Sequence, residues 1–312
     1  MTVRPLDILD LPFLSRYHND VLSLDSARLL TRGNPLGAAA LLSYLDPHRH
    51  IYTAVAAENG DSLMGQITLD EEETSARLTF LAPKENINEL ALPLLDHLVT
   101  QTGEWGAFHL LAEVDEESPA FRSLRRTGFA MYAWQRVWKL PVKTENKKGS
   151  WRTAEEIDWP SIQSLYGQII PALLHPVESP PQPFTGLVFF QEGNLQAYVA
   201  ITSGIKGIWV QPLVLPDCEC VSDQLAGLAS ATAGWGNRHI YICVRSYQAW
   251  LETVLEDLGA EPGPRQAVMV KRLVKTIKEF QLIPAMEKAL VKAKTAAPVA
   301  RIVSNEKVPS KK

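Results

Sequence analysis

The segment TGEWGAFHLLAEVDEESPAFRSLRRTGF, Thr102 to Phe129, returns in outline as AGWGNRHIYICVRSYQAWLETVLEDLGA, Ala233 to Ala260. Each reads as a helix end, a strand, a helix and a glycine stop. Trp105 and Trp235 stand 130 residues apart, and Gly128 and Gly259 stand 131 apart. So long an interval marks a duplicated domain, not a short solenoid repeat. The length of 312 residues agrees, being long for one core and ordinary for two.

The boundary follows from composition. LPVKTENKKGS, Leu140 to Ser150, is polar and basic and closes on Gly-Ser, and a fresh segment, WRTAEEIDWPSIQSLY, follows it. We therefore expect a domain over 1–140, a linker over 141–150, a second domain over 151–273 and a basic tail over 274–312. In the first half a short strand near Val3 precedes helical stretches at LPFLSRYHNDVL and NPLGAAALLSYL. Strands HIYTAVAAE, SLMGQITLD and SARLTFLA come next, with Asn59-Gly60 as the turn between the first two. Leu90, Leu94, Leu95, Leu98 and Val99 then recur at helical spacing, and strand AFHLLAEV, helix SPAFRSLRRTG and strand FAMYAWQRVWKL complete the half. Ser118-Pro119 is a helix entry, a capping hydroxyl followed by a first-turn residue that needs no amide partner. The second half repeats the order, from a helix-rich opening at Ala154 to Leu174 through strands GLVFFQE, LQAYVAITS and GIWVQPLVL. Gly193-Asn194 is the expected turn between the first two.

A hydrophobic fraction of 46% and a charged fraction of 21% belong to a globular protein. The net charge of −4 gives no general case for nucleic acid, but it divides into +6 over 275–312 and −10 before it. The tail, with a short helix expected near Met286 to Lys294 and a disordered end after it, reads as a solvated C-terminus that could contact an acidic partner, and nucleic acid is not expected. No signal-peptide pattern and no membrane-spanning apolar run is present, and the expectation is a cytoplasmic protein. Cys218, Cys220 and Cys243 have the spacing neither of a disulfide framework nor of a zinc site, so no metal is expected.

The order strand, two helices, three strands, helix, strand, helix, glycine, strand resembles the GCN5-related N-acetyltransferase superfamily, here in tandem. The residues carrying the likeness are LAPKENINELALPLLDHL, Leu81 to Leu98, followed by LLAEVDEESPAFRSLRRTGF. The likeness covers about 2–140 and, more faintly, 151–273. It implies an α/β fold of two acyl-CoA N-acyltransferase-like domains, each with a mixed, mainly antiparallel sheet flanked by helices. A splayed pair of parallel strands is expected at each centre, 75–82 with 108–114 and 207–215 with 239–244. It further implies acetyl-CoA or another acyl-CoA as co-substrate and a small-molecule or peptide amine as acceptor.

Such a fold holds the coenzyme A pyrophosphate on backbone amides where a loop turns into a helix. The family pattern Gln/Arg-x-x-Gly-x-Gly/Ala falls on Asn86, Ile87, Asn88, Glu89, Leu90 and Ala91. Ala91 fits, whereas Glu89 puts a carboxylate where a glycine admits phosphate. The resemblance assigns the acyl carbonyl to Leu81 and Ala82 and the phosphates to Asn88, Glu89, Leu90 and Ala91. In the second half it assigns them to Val214 and Leu215, and to Val221, Ser222 and Asp223. There the loop carries Asp217, Glu219 and Asp223, with no Lys or Arg from Gln211 to Asn237. The family's Asn and Tyr, eleven and four residues before the glycine, fall on Glu117 and Leu124, and on Gln248 and Leu255. No phenol therefore stands ready to protonate the leaving thiolate. Glu113 and Glu117, in an acidic strand end, are the candidates to draw the proton from the amine. Solvated strand-end carboxylates would look the same.

His48-Arg49-His50 reads as a solvated turn, His109 and His239 as packing histidines, and Trp105 and Trp235 as core anchors. Tyr241 and Tyr247 read as packing aromatics, with an approach to the second cleft as the alternative. Two functions remain in view: acyl transfer from acyl-CoA to an amine, and a non-catalytic pair kept as a binding or assembly module.

Overall fold

The computed structural model describes residues 2–7, 10, 16–37, 49–71, 73–87, 89–141, 150–178, 180, 186–231 and 238–273. The two helical stretches expected before residue 49, residues 142–149 of the expected linker, Trp235 and the tail helix lie largely or wholly outside these residues.

The first half contributes β1 (Thr2–Pro5), β2 (Leu22–Ser23), helix α1 (Ser26–Arg32), β3 (Arg49–Glu58), β4 (Asp61–Asp70) and β5 (Ser75–Ala82). Helix α2 (Ala91–Glu104), β6 (His109–Asp115), α3 (Pro119–Arg126) and β7 (Ala130–Lys139) follow. The second half runs β8 (Arg152–Thr153), α4 (Trp159–Ile169), β9 (Gly186–Gln191), β10 (Asn194–Ser203) and β11 (Gly207–Val214). It ends with α5 (Val221–Ala231), β12 (His239–Arg245), α6 (Leu251–Asp257) and β13 (Glu261–Arg272). Asn59 and Gly60 both have positive φ, as the expected turn requires. In the second half the turn residues are Glu192 and Gly193, at φ 51° and 80°, so Asn194 already belongs to β10. Arg49 and His50 open β3 instead of forming a turn, and His50 lies against Trp105 with ring centroids 5.6 Å apart.

The sheets expected of the two halves are parts of one sheet, in the order β1-β3-β4-β5-β6-β13-β7-β12-β11-β10-β9-β8, with β2 beside β5. The final strands have changed places. β13 of the second half pairs with β6 of the first, β7 of the first pairs with β12 of the second, and β7 and β13 pair antiparallel with each other. An approximate two-fold axis therefore passes between them. Across it the register aligns Asp115, Gln266, Gln135 and Arg245 in one row over four strands. Their side chains bond along the row. Gln266 Nε2 donates to Asp115 Oδ1 at 3.0 Å, Gln135 Nε2 to Gln266 Oε1 at 2.8 Å, and Arg245 Nη1 to Gln135 Oε1. Arg245 also faces Glu178 at 3.3 Å and Glu113 at 4.0 Å, all three buried, so its charge is balanced from both halves.

Helices α2 and α3 cover one face of the first half's strands, burying Ala91, Leu94, Leu95, Leu98, Ala120 and Leu124. Each of those leucines contributes about 1.5–3 kcal/mol by leaving water. α5 and α6 do the same for the second half with Leu225, Leu228, Leu251 and Leu255, while α4 packs on the opposite face through Ile162, Leu165 and Tyr166. α1 reaches across to the other half, where Lys206 N donates to Thr31 O at 2.9 Å. Val177 makes the reverse crossing to Leu111 and Val270.

A further signature marks the two beginnings. Arg4 holds Asp10 through two bonds of 2.6 and 2.8 Å, and Asp7 N donates to Asp10 Oδ2. Arg152 holds Asp158 through bonds of 2.7 and 2.6 Å, and Glu155 N donates to Asp158 Oδ2. Arg-x5-Asp-x-Pro thus opens both halves, a spacing legible in VRPLDILDLP and WRTAEEIDWP.

Candidate functional site

Both parallel pairs expected from the sequence form, and both splay. β5 and β6 pair only over Ser75–Arg77 with His109–Leu111. β11 and β12 pair over Gly207–Val210 with His239–Ile242. Beyond those residues each pair opens a gap in which strand-edge groups need partners.

In the first half the gap is filled by main chain. β2 pairs antiparallel with β5, Leu22 opposite Leu81 and Ser23 opposite Phe80. Leu24 N donates to Thr79 O at 2.9 Å, and Glu113 N donates to Leu24 O at 2.8 Å, so one residue joins both strands. Leu24 is 1% exposed and lies in the core cluster. Leu81, an expected carbonyl-binding residue, is therefore paired on one side with Gly65 and on the other with Leu22, and Ala82 stands opposite Met64. The cofactor loop is similarly committed. Leu90 and Ala91 are buried, Glu89 is exposed, and Asn88 lies outside the described residues. Leu90 supplies no side-chain cap to α2, and Pro93 removes one amide from its first turn.

Glu113 and Glu117 are not brought together. Glu113 is buried on β6, where Oε2 accepts from Ser26 N at 2.9 Å and the carboxylate faces Arg245. It caps the start of α1 and balances a buried guanidinium, which leaves it poorly placed to serve as a base. Glu117 is exposed in the turn before α3.

In the second half a single side chain bridges the gap. Gln248, in a short 3-10 turn at Ser246–Gln248 after β12, accepts at Oε1 from Val214 N at 2.9 Å. Its Nε2 donates to Pro212 O at 2.8 Å, and the residue is 2% exposed. Leu215 N turns the other way, to Gln196 O at 3.0 Å. Just before α5 Cys220 takes φ 64°, and in the helix's first turn Val221 is buried, Ser222 half-buried and Asp223 exposed. Gln224 anchors the linker's end, its Oε1 accepting from Ser150 N at 3.0 Å and its carbonyl from Trp151 Nε1 at 2.7 Å. Asp217 and Glu219 are exposed beside this turn.

Other candidates fall into structural places. Burial pushes the Cys243 thiol up to about 12 and raises Cys218 as well, so neither is a ready thiolate. Burial likewise raises the Tyr247 phenol, which packs against the α4 core beside Glu178. His109 is shifted down by burial and by Arg272. Among the described residues no cluster of three or more His, Cys, Asp or Glu could hold a metal ion, and no helix is long and apolar enough to cross a membrane. A cavity of about 650 Å³ lies beside the Leu22–Leu24 insertion and is lined from both halves, by Ser26, Lys84 and Asp115 and by Tyr241, Glu261 and Gln266 among others.

Sequence reasoning missed the inserted β2, the exchange of β7 and β13, and the row across the axis. Only the row left a signal: Gln135 and Gln266 stand 131 residues apart, the interval of the two glycines.

The sequence matches no protein-family model and no curated protein. In three dimensions the chain is similar to a GCN5-related N-acetyltransferase from Sphaerobacter thermophilus, with a TM-score of 0.52 at 13% identity over 87% of this chain and 95% of that one. More distant likenesses are a tandem GNAT protein from the clavulanic acid biosynthesis pathway (TM-score 0.49, 14% identity, 87% and 98% covered) and a GNAT-family acetyltransferase from Colwellia psychrerythraea (0.44, 11%, 88% and 100%). With its splayed parallel strands and its repeated order of elements, the chain has the fold of the GCN5-related N-acetyltransferases, in two copies.

Proposed function

We propose that the protein is an acyl-CoA-dependent N-acyltransferase whose second half takes the cofactor, while the first half is a closed lobe without catalysis. The observation that carries this is the different filling of the two gaps: main chain in the first, one carboxamide in the second. Removing β2 would strip hydrogen bonds from both β5 and β6 and expose Leu24. Turning out Gln248 exchanges two bonds for two others.

In the second half the open edge of β11 at Val214 and Leu215 receives the acyl-pantetheine end of the cofactor, and the amides of Val221, Ser222 and Asp223 are those for the pyrophosphate. The acceptor is a small-molecule or peptide amine. Its nitrogen attacks the thioester carbon, the C–S bond breaks, and the proton lost by the amine reaches the thiolate through water, since Glu113 is held by Ser26 N and Arg245 and burial makes the Tyr247 phenol a weaker acid. Asp217, Glu219 and Asp223 oppose a polyanion, so binding is expected to be weak and to strengthen as salt screens them.

Calorimetric titration of the full chain with acetyl-CoA tests this reading. One site per chain is expected, lost in Ser222→Glu, which sets a carboxylate among the phosphate amides. Absence of binding at millimolar acetyl-CoA would overturn it. The second reading, a non-catalytic binding module, is favoured by the cavity of about 650 Å³ shared by both halves. It would then stand alone.

A further inference from the structure

The open edge of β11 offers little to a ligand. Pro212 O and Val214 N both engage Gln248, so residues 212 and 214 face the gap, whereas Leu215 N faces β10. Alternation along a strand makes that assignment consistent. Pro212 has no N–H to give, so beyond the paired stretch Val214 N is the strand donor on that edge. Gln248 takes it. Its carboxamide accepts from one strand residue and donates to the carbonyl two residues away, the pair of bonds that the C=O and N–H of one residue of a neighbouring parallel strand would make.

We propose that Gln248 is a built-in stand-in for a ligand amide. It closes the second cleft in the free protein and swings out when an extended chain bearing two successive secondary amides, the pantetheine arm of an acyl-CoA, pairs with Pro212 and Val214. This rests on the reading of the second half as the cofactor site. The exchange is nearly even in hydrogen bonds: the C=O of one ligand amide replaces Oε1 on Val214 N, and the N–H of the neighbouring ligand amide replaces Nε2 on Pro212 O. A ligand without an amide cannot replace both bonds and leaves a buried strand group unpaired. Gln248 thus selects for amide-bearing chains and lowers the apparent affinity of those it admits, because only molecules with Gln248 turned out can bind. The equivalent position in the first half, Glu117, is exposed, in keeping with a gap that main chain already fills.

The test compares wild-type protein with Gln248→Ala as full-length chains, by calorimetric titration with acetyl-CoA and with pantetheine, and by hydrogen exchange at the Val214 amide. The variant is expected to bind both ligands about tenfold more tightly. Its Val214 amide should exchange fast when free and slowly again with acetyl-CoA, while the wild-type amide is slow throughout. A merely structural glutamine would not give that recovery. Equal or weaker binding by the variant, with both proteins binding, overturns the stand-in and leaves the cofactor site intact. No binding by either protein overturns the cofactor site itself and the stand-in with it. If Gln248→Ala does not fold, Gln248→Ser serves the same comparison.

Discussion

The two halves begin alike, with an arginine holding an aspartate six residues on, and end alike, with a glycine stop and a strand given to the other half. They differ in what occupies the gap between their parallel strands. In the first, Leu22–Leu24 enters as main chain and bonds to β5 and β6 together. In the second, one glutamine side chain reaches over. Main chain brings a run of bonds plus a buried leucine, whereas a side chain brings two bonds and a rotamer. The same gap can therefore be a permanent part of the sheet or a site that opens, and the difference lies in about three residues.

The halves are coupled by charge, and the largest effect should come from breaking that coupling. Arg245→Ala leaves Glu178 and Glu113 buried without their cation and should cost about 3–5 kcal/mol in denaturant unfolding. Both halves should lose stability in one transition if the shared sheet is a single cooperative unit. Leu24→Ala comes next. It removes a fully buried side chain, should cost about 2–5 kcal/mol, and should give no gain in acetyl-CoA binding, because β2 remains. A gain would mean that the first gap opens like the second.

The glycine stops allow a finer comparison. Gly128 and Gly259 have φ of 81° and 72°, so alanine at either should cost about 1 kcal/mol. Gly128→Ala should cost more, since the added Cβ would lie 2.7 Å from Lys271 Nζ, which bonds Thr127 O, whereas nothing lies within 4 Å at Gly259. Thermal melts of the two variants would order them. The smallest effect concerns pH. The bond from Arg4 holds Asp10 below the usual carboxylate range, and the bond from Arg152 does the same for Asp158. A depressed carboxylate adds stability above its unfolded value of about 4 and loses it as pH falls through the folded value. Melting temperature should therefore drop below about pH 4, less steeply in Asp10→Asn and in Asp158→Asn, and by similar amounts if the two openings are equivalent.

The strands were legible because alternation and turn residues are local: SARLTFLA spans the observed β5, and the parallel partners are those expected. The candidate site was less legible. Glu113 looks in sequence like a solvated strand end, yet a guanidinium from the other half, 132 residues on, turns it into a buried structural anion. Gln248 occupied a family position without revealing which way its amide points.

By itself the sequence determined the duplication, the order of elements, the buried faces of the helices and the glycine stops, since each depends on residues near one another in the chain. Tertiary structure alone decided that β7 and β13 trade places, that Leu22–Leu24 closes one gap, and that Gln248 bridges the other. The reason is physical. Main-chain hydrogen bonds are the same for every residue, and β7 and β13 carry alternating patterns with a glutamine at matching register. Either strand could flank β6, and only the assembled core and the ion pairs across the axis select one.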